Sequence, residues 1–145
     1  MRIYSDQDHF SPTERRLESR IVNAFRDSLK PPLDEIADLS SVRSGELPLL
    51  SVNWLEAYSS REDSIDGGEF ALLKDSGFLY FLPSFMLCCM GRPPNPDILD
   101  SVARHLIVPK RLLRVLNTFS DDQIGVVCSF ILYLTTPEAW PGDLP

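Results

Sequence analysis

The stretch GFLYFLPSFMLCCM, residues 77–90, decides the fold. From Phe78 to Met90 every residue except Pro83 and Ser84 is apolar, and Cys88 and Cys89 stand side by side. As a helix this run is about 20 Å long, against the ~30 Å of a bilayer core. Lys74 and Asp75 precede it and GRPPNP follows it, so it does not read as a membrane span. A strand pair is the weaker alternative, because no turn signal divides the run before Pro83. Pro83 removes one helical hydrogen bond and is expected to kink the helix or start a new one. A helix that is apolar all round belongs at the centre of a bundle, where each large side chain contributes roughly 1.5–3 kcal/mol by burial. The run therefore predicts a buried, proline-kinked central helix.

Working outward, the flanking segments supply its covers. In SPTERRLESRIVNAFRDSLKPP, Ser11 is an N-cap, Pro12 suits the first helical position and Glu14 completes a capping box. Leu17, Ile21, Phe25 and Leu29 recur every four residues, with Ala24 beside them, and Pro31 and Pro32 close the helix. Arg15, Arg16, Arg20 and Arg26 fall largely on the other side. A short helix is expected from about Pro48 to Tyr58, with Leu49, Val52, Leu55 and Tyr58 on one face. NPDILDSVARHLIV starts a further helix at Asn95–Pro96, with Ile98, Leu99, Val102, Leu106 and Ile107 inward, and KRLLRVL adds a turn or two. In FSDDQIGVVCSFILYLTT, Ser120 caps, Gln123 completes the box, Phe119 is placed to staple onto Ile124, and Ile124, Val127, Cys128, Ile131 and Leu134 form the expected inner face. The fold class is thus mainly α: a compact single-domain bundle of five to six helices. Residues 1–10 form an arm, 11–136 the helical domain and 137–145 a tail.

The 145 residues carry a net charge of −7, unevenly spread. Within 33–69 stand Asp34, Glu35, Asp38, Glu46, Glu56, Glu62, Asp63, Asp66 and Glu69, opposed only by Arg43 and Arg61, while the rest of the chain is balanced. Such a field repels nucleic acid and anionic lipid and attracts a basic protein partner. Charge runs are more often solvated faces, and that is the plain alternative. The N-terminal residues MRIYSDQDHF show no apolar run, so no secretory leader is expected. Three cysteines, two of them adjacent, do not make a disulfide framework. The cytoplasm is the expected compartment.

Residue types that carry chemistry are sparse and badly spaced. Zinc needs about four ligands in local pairs, and Cys88, Cys89, Cys128, His9 and His105 offer none. Cys128 reads as a small buried hydrophobe. A thiol nucleophile at Cys88 or Cys89 with His105 as base competes with inert packing between Leu87 and Met90. DSIDGGE lacks the ligand alternation and loop length of a calcium site. Asp121 and Asp122 are explained by the helix N-terminus. The basic cluster Arg104, His105, Lys110, Arg111 and Arg114 lacks interleaved aromatics, which favours a solvated face or pairing with the acidic segment over nucleic acid. No metal or cofactor is expected.

Aromatics are the sharper candidates. Trp54 and Tyr58 lie one turn apart in the acidic segment, and Trp140 lies in the tail TTPEAWPGDLP. Trp and Tyr anchor protein interfaces, against the alternative that Trp54 caps the core and Trp140 pins the tail. The candidate partner-binding residues are therefore Trp54, Tyr58, Glu62, Asp63, Asp66 and Glu69.

Ala24–Phe25, the isolated Trp54, FALLKDSGFLYFLPSFMLCCM and FSDDQIGVVCSFILYL together resemble an uncharacterised family of small bacterial proteins of unknown function. That family's central block resembles FL-x-P-x-x-F-x-Y-Y-LP-A-F-L-L, matched here at Phe78, Tyr80, Leu82, Pro83, Phe85 and Leu87. Its closing helix, LT-x-x-Q-x-x-x-V-x-x-F-L-x-x-L, is echoed at Ser120, Gln123, Val127, Phe130 and Leu134. Lys74, Asp75 and Ser76 depart from its usual helix start. The resemblance implies a helical fold and brings no catalytic residues. The expectation is a non-enzymatic protein-binding domain, in its sharpest form an immunity protein or antitoxin covering a basic bacterial toxin. A generic adaptor, or a small enzyme built on Cys/His or carboxylate groups, is the alternative.

Overall fold

A computed structural model describes residues 10–38, 48–59, 72–90, 96–107 and 116–136, with Lys110 and Leu113. Among these residues the chain forms six α-helices: α1 (Pro12–Phe25), α2 (Leu33–Ile36), α3 (Trp54–Ser59), α4 (Asp75–Cys88), α5 (Pro96–Ile107) and α6 (Asp121–Leu134). Two 3-10 turns, Pro48–Ser51 and Leu116–Thr118, and one isolated antiparallel bridge between Ala37 and Leu73 complete the described structure. The mainly α expectation is met.

α4 is the axis. Every residue from Tyr80 to Met90 is buried, and α1, α2, α3 and α5 all pack against it, while α6 covers α1 and α5. The helix runs through Pro83 as one element. Pro83 has no N–H to offer the Leu79 carbonyl one turn back, and this is tolerated because packing on all sides holds the segment helical. Ser84, fully buried, donates its hydroxyl to the Trp54 carbonyl.

α1 and α6 begin as their sequences predict. Ser11 Oγ accepts from the Glu14 N–H at 3.1 Å and Glu14 Oε1 accepts from the Ser11 N–H at 2.9 Å. Ser120 and Gln123 repeat this at 3.2 and 3.0 Å. Their ends and faces differ from expectation. α1 stops at Phe25, well before Pro31, and Leu29 is 90% exposed. The last carbonyls of a helix need donors. Here two of them come from afar: Gln123 Nε2 reaches Ala24 O at 3.1 Å, and Trp54 Nε1 reaches Phe25 O at 3.1 Å, beside the local Ser28 N–H at 3.1 Å. In α6 the buried residues are Val126, Val127, Phe130, Tyr133 and Leu134. The large rings set the helix rotation, so Ile124 and Ile131 are only half-buried and Cys128 is exposed, not inward. Phe119 sets its ring edge-on against Phe25, with centroids 5.4 Å apart.

The expected Pro48–Tyr58 helix is split. Asn53, two residues past the 3-10 turn, caps α3: its Oδ1 accepts from the Glu56 N–H at 2.8 Å, and Glu56 Oε1 accepts from the Asn53 N–H at 3.0 Å. This reciprocal cap turns Trp54, Ala57 and Tyr58 inward and leaves Leu55 46% exposed.

Candidate functional site

The acidic segment is partly described. Asp34 and Glu35 lie in the first turn of α2, Asp38 just after it, and Glu56 on α3, and all four are exposed. Both helices lie against α4. Glu62, Asp63, Asp66 and Glu69 fall outside the described residues.

The two aromatic anchors are corrected. Trp54 is 3% and Tyr58 4% exposed, which leaves neither a face for a partner. Their polar atoms are used internally. The Trp54 indole N–H closes the end of α1, and its backbone N–H donates to the Tyr80 hydroxyl at 3.2 Å. That amide belongs to the first residue of α3, where a helix has no partner of its own to give it. Tyr80 and Ser84, one turn apart on α4, therefore hold the backbone N–H and C=O of Trp54, in the two peptide groups that flank its Cα. The Tyr58 hydroxyl donates to Glu18 Oε2 at 2.9 Å.

Glu18 introduces a feature missed in the sequence. Glu14 and Glu18, on successive turns of α1, are both buried, at 0% and 6% exposure. Glu14 uses Oε1 for the cap and accepts a short hydrogen bond at Oε2 from the Tyr133 hydroxyl of α6. Each buried carboxylate thus meets a tyrosine from a different helix, which satisfies the burial of a polar group and fixes α3 and α6 on α1. The signal available in the sequence was two acids four apart on the side of the Leu17–Ile21 stripe. Their partners, 40 and 119 residues away, carry no local mark.

Titration is perturbed at two described groups beside this acidic surface. Partial burial holds the Lys30 ammonium below its ordinary value, opposed by the nearby Glu56 carboxylate. Lys30 Nζ donates to Leu50 O at 2.9 Å. Burial pushes the Tyr80 phenol up, the hydrogen bond from the Trp54 backbone pulls it down, and Glu56 adds to the rise.

Elsewhere the candidates for chemistry do not assemble. Cys88 and Cys89 are buried, and Cys89 Sγ donates to the Phe85 carbonyl at 3.2 Å. Among the described residues no three His, Cys, Asp or Glu side chains converge as a metal site, and no helix is long and apolar enough to cross a membrane. In the basic cluster, Arg104 pairs with Asp100 on the exposed side of α5 and Lys110 is exposed. The side chain of His105, and Arg111 and Arg114, lie outside the described residues. Between α1 and α6 runs a cleft of about 440 Å³ whose lining includes Arg16, Arg20 and Leu132.

No protein family, curated protein or solved structure matches this chain. The motif resemblance noted above therefore assigns it to no family.

Proposed function

We propose that the chain is a cytoplasmic protein-binding domain that takes a basic protein on its acidic segment, 33–69. In its most specific form it is an immunity protein or antitoxin that covers a cationic bacterial toxin. The observation that supports this is the division of labour within the segment. Asp34, Glu35, Asp38 and Glu56 are exposed, while Trp54 and Tyr58 of the same segment are locked into the core. Recognition on this reading is electrostatic, carried by exposed carboxylates on α2 and α3, both of which pack on α4. Binding of that kind accelerates encounter and weakens with salt.

The test is a tagged pull-down from the native host, eluted across a salt gradient and read by mass spectrometry. One basic protein should elute at raised salt. Its affinity should fall at least about tenfold in D34N/E35Q/D38N/E56Q, and further when Glu62, Asp63, Asp66 and Glu69 are also neutralised. The four described positions are exposed, and Gln at position 56 keeps an oxygen to accept the Asn53 N–H in the α3 cap, so the midpoint of unfolding should move little. Elution of background proteins alone, or binding indifferent to these charges, rejects the reading.

A further inference from the structure

The cleft between α1 and α6 belongs to neither the acidic segment nor the tyrosine–glutamate pairs alone. The two helices run antiparallel, tied at one end by Gln123 to Ala24 O, midway by Arg20 Nη1 to Ser129 Oγ at 3.0 Å, and at the other by Tyr133 to Glu14. On α1 the lining is Thr13, Arg16, Leu17 and Arg20, the spacing i, i+3, i+4, i+7; the same spacing recurs from Ser129 on α6 to Thr136 just past its end. Two matched stripes over two turns, about 10 Å, form the seat that a third helix takes against a helix pair. Leu17, 5% exposed, lies deep, and Leu132, 68% exposed, has no cover.

We infer that this cleft docks an acidic amphipathic helix of a partner protein. Charge complementarity decides the occupant. Among the described residues no acidic side chain lines the cleft, and two guanidiniums stand one turn apart on its α1 wall, in a chain whose net charge is −7. Among the described contacts Arg16 makes no ion pair, and Arg20 is held only by the Ser129 hydroxyl. Planar guanidiniums in that setting take carboxylates bidentately. The cleft is partly open to solvent, unlike the enclosed pockets that bury most of a small ligand, and its periodicity matches helix-in-groove recognition, with apolar anchors every three or four residues. The chain then carries two docking surfaces of opposite preference, one for a basic partner and one for an acidic helix.

The experiment is a displayed library of helical peptides selected on the full chain, run in parallel on R16Q/R20Q. Enriched peptides should carry apolar residues at helical spacing flanked by Asp and Glu. Their affinity should drop at least about tenfold on R16Q/R20Q and on L132N, and stay unchanged on D34N/E35Q/D38N/E56Q. That last arm separates this inference from the proposed function. Arg16, Arg20 and Leu132 are exposed, so the variants should keep the helical circular dichroism spectrum; if R16Q/R20Q does not fold, L132N decides. Peptides that bind wild type and cleft variants equally, or that lack acidic residues, overturn the inference. So does cleft-dependent self-association, which would make a second copy the occupant.

Discussion

At Gly77 a methyl group would meet backbone, not side chain. A Cβ built there comes within 2.9 Å of Ile36 Cα and closer still to the Ile36 carbonyl oxygen. That carbonyl cannot retreat freely, because it accepts the Lys74 N–H at 2.8 Å, beside the Ala37–Leu73 bridge. At Gly125, in the second turn of α6, no described atom beyond the helix's own local backbone lies within 4 Å of that position. The two glycines therefore separate propensity from packing. Replacing glycine by alanine inside a helix ordinarily gains about 1 kcal/mol. Gly125→Ala should show that gain as a raised urea midpoint at constant slope. Gly77→Ala should instead lose roughly 1–3 kcal/mol, as overpacking does. Equal midpoints for the two variants would mean that α2 does not sit on α4 as described. Nothing in the sequence distinguishes these glycines, since each lies in an apolar helix. The difference comes from Ile36, in a single-turn helix that neither composition nor periodicity announces. Glu14 is similar: its capping oxygen could be read from Ser11 three residues before, whereas its second oxygen answers to a tyrosine in the last helix.

Helix starts were readable because capping is local: Ser11 with Glu14 and Ser120 with Gln123 each lie within one turn. Stops and rotations were not. α1 ends where Gln123 and Trp54 take its last carbonyls, and α6 turns toward Phe130 and Tyr133 although the Ile124–Cys128–Ile131 spacing is equally periodic. Asn53 and Glu56 carried a local cap signal that had been submerged in a longer apolar pattern. The joint between α3 and α4 makes a prediction at this scale. The Tyr80 phenol sits above its ordinary value of 10.0, chiefly because it is buried. A phenol raised in the folded state stays protonated while that of the unfolded chain ionises, so stability falls as pH rises past about 10. Lys30 acts in the opposite sense: its ammonium, lowered from 10.5, makes stability rise with pH in the range just below that value. Comparing wild type with Tyr80→Phe isolates the phenol. Near neutrality Tyr80→Phe should cost about 1 kcal/mol for the lost bond to the Trp54 N–H. Above pH 10 the gap between the two proteins should narrow. A gap that is constant through the alkaline range would remove the Tyr80 hydroxyl from the buried joint.

Across the whole molecule, one buried cluster draws on all six helices, from Leu17 and Ile36 through Trp54 and the length of α4 to Ile98 and Phe130. Its centre was legible because thirteen residues with two interruptions leave no polar face to expose. The acidic surplus was legible for a comparable reason, since charge adds up without knowledge of contacts. Which aromatics inside that surplus face outward could not be read, because burial of Trp54 and Tyr58 depends on Phe25 and Glu18 in another helix. Cysteine makes the arrangement measurable. Cys88 and Cys89 close the central helix in full burial, and Cys128 stands exposed on α6. A thiol reagent of moderate size should therefore modify one of the three cysteines rapidly in the native protein, and Cys128→Ser should abolish that phase. The remaining two should react only as fast as the cluster itself opens, so that their rates track global unfolding as urea is raised. Fast modification of Cys88 or Cys89 well below the unfolding transition would show that the end of α4 opens by itself. The single cooperative core that holds both proposed docking surfaces in place would then be the wrong description.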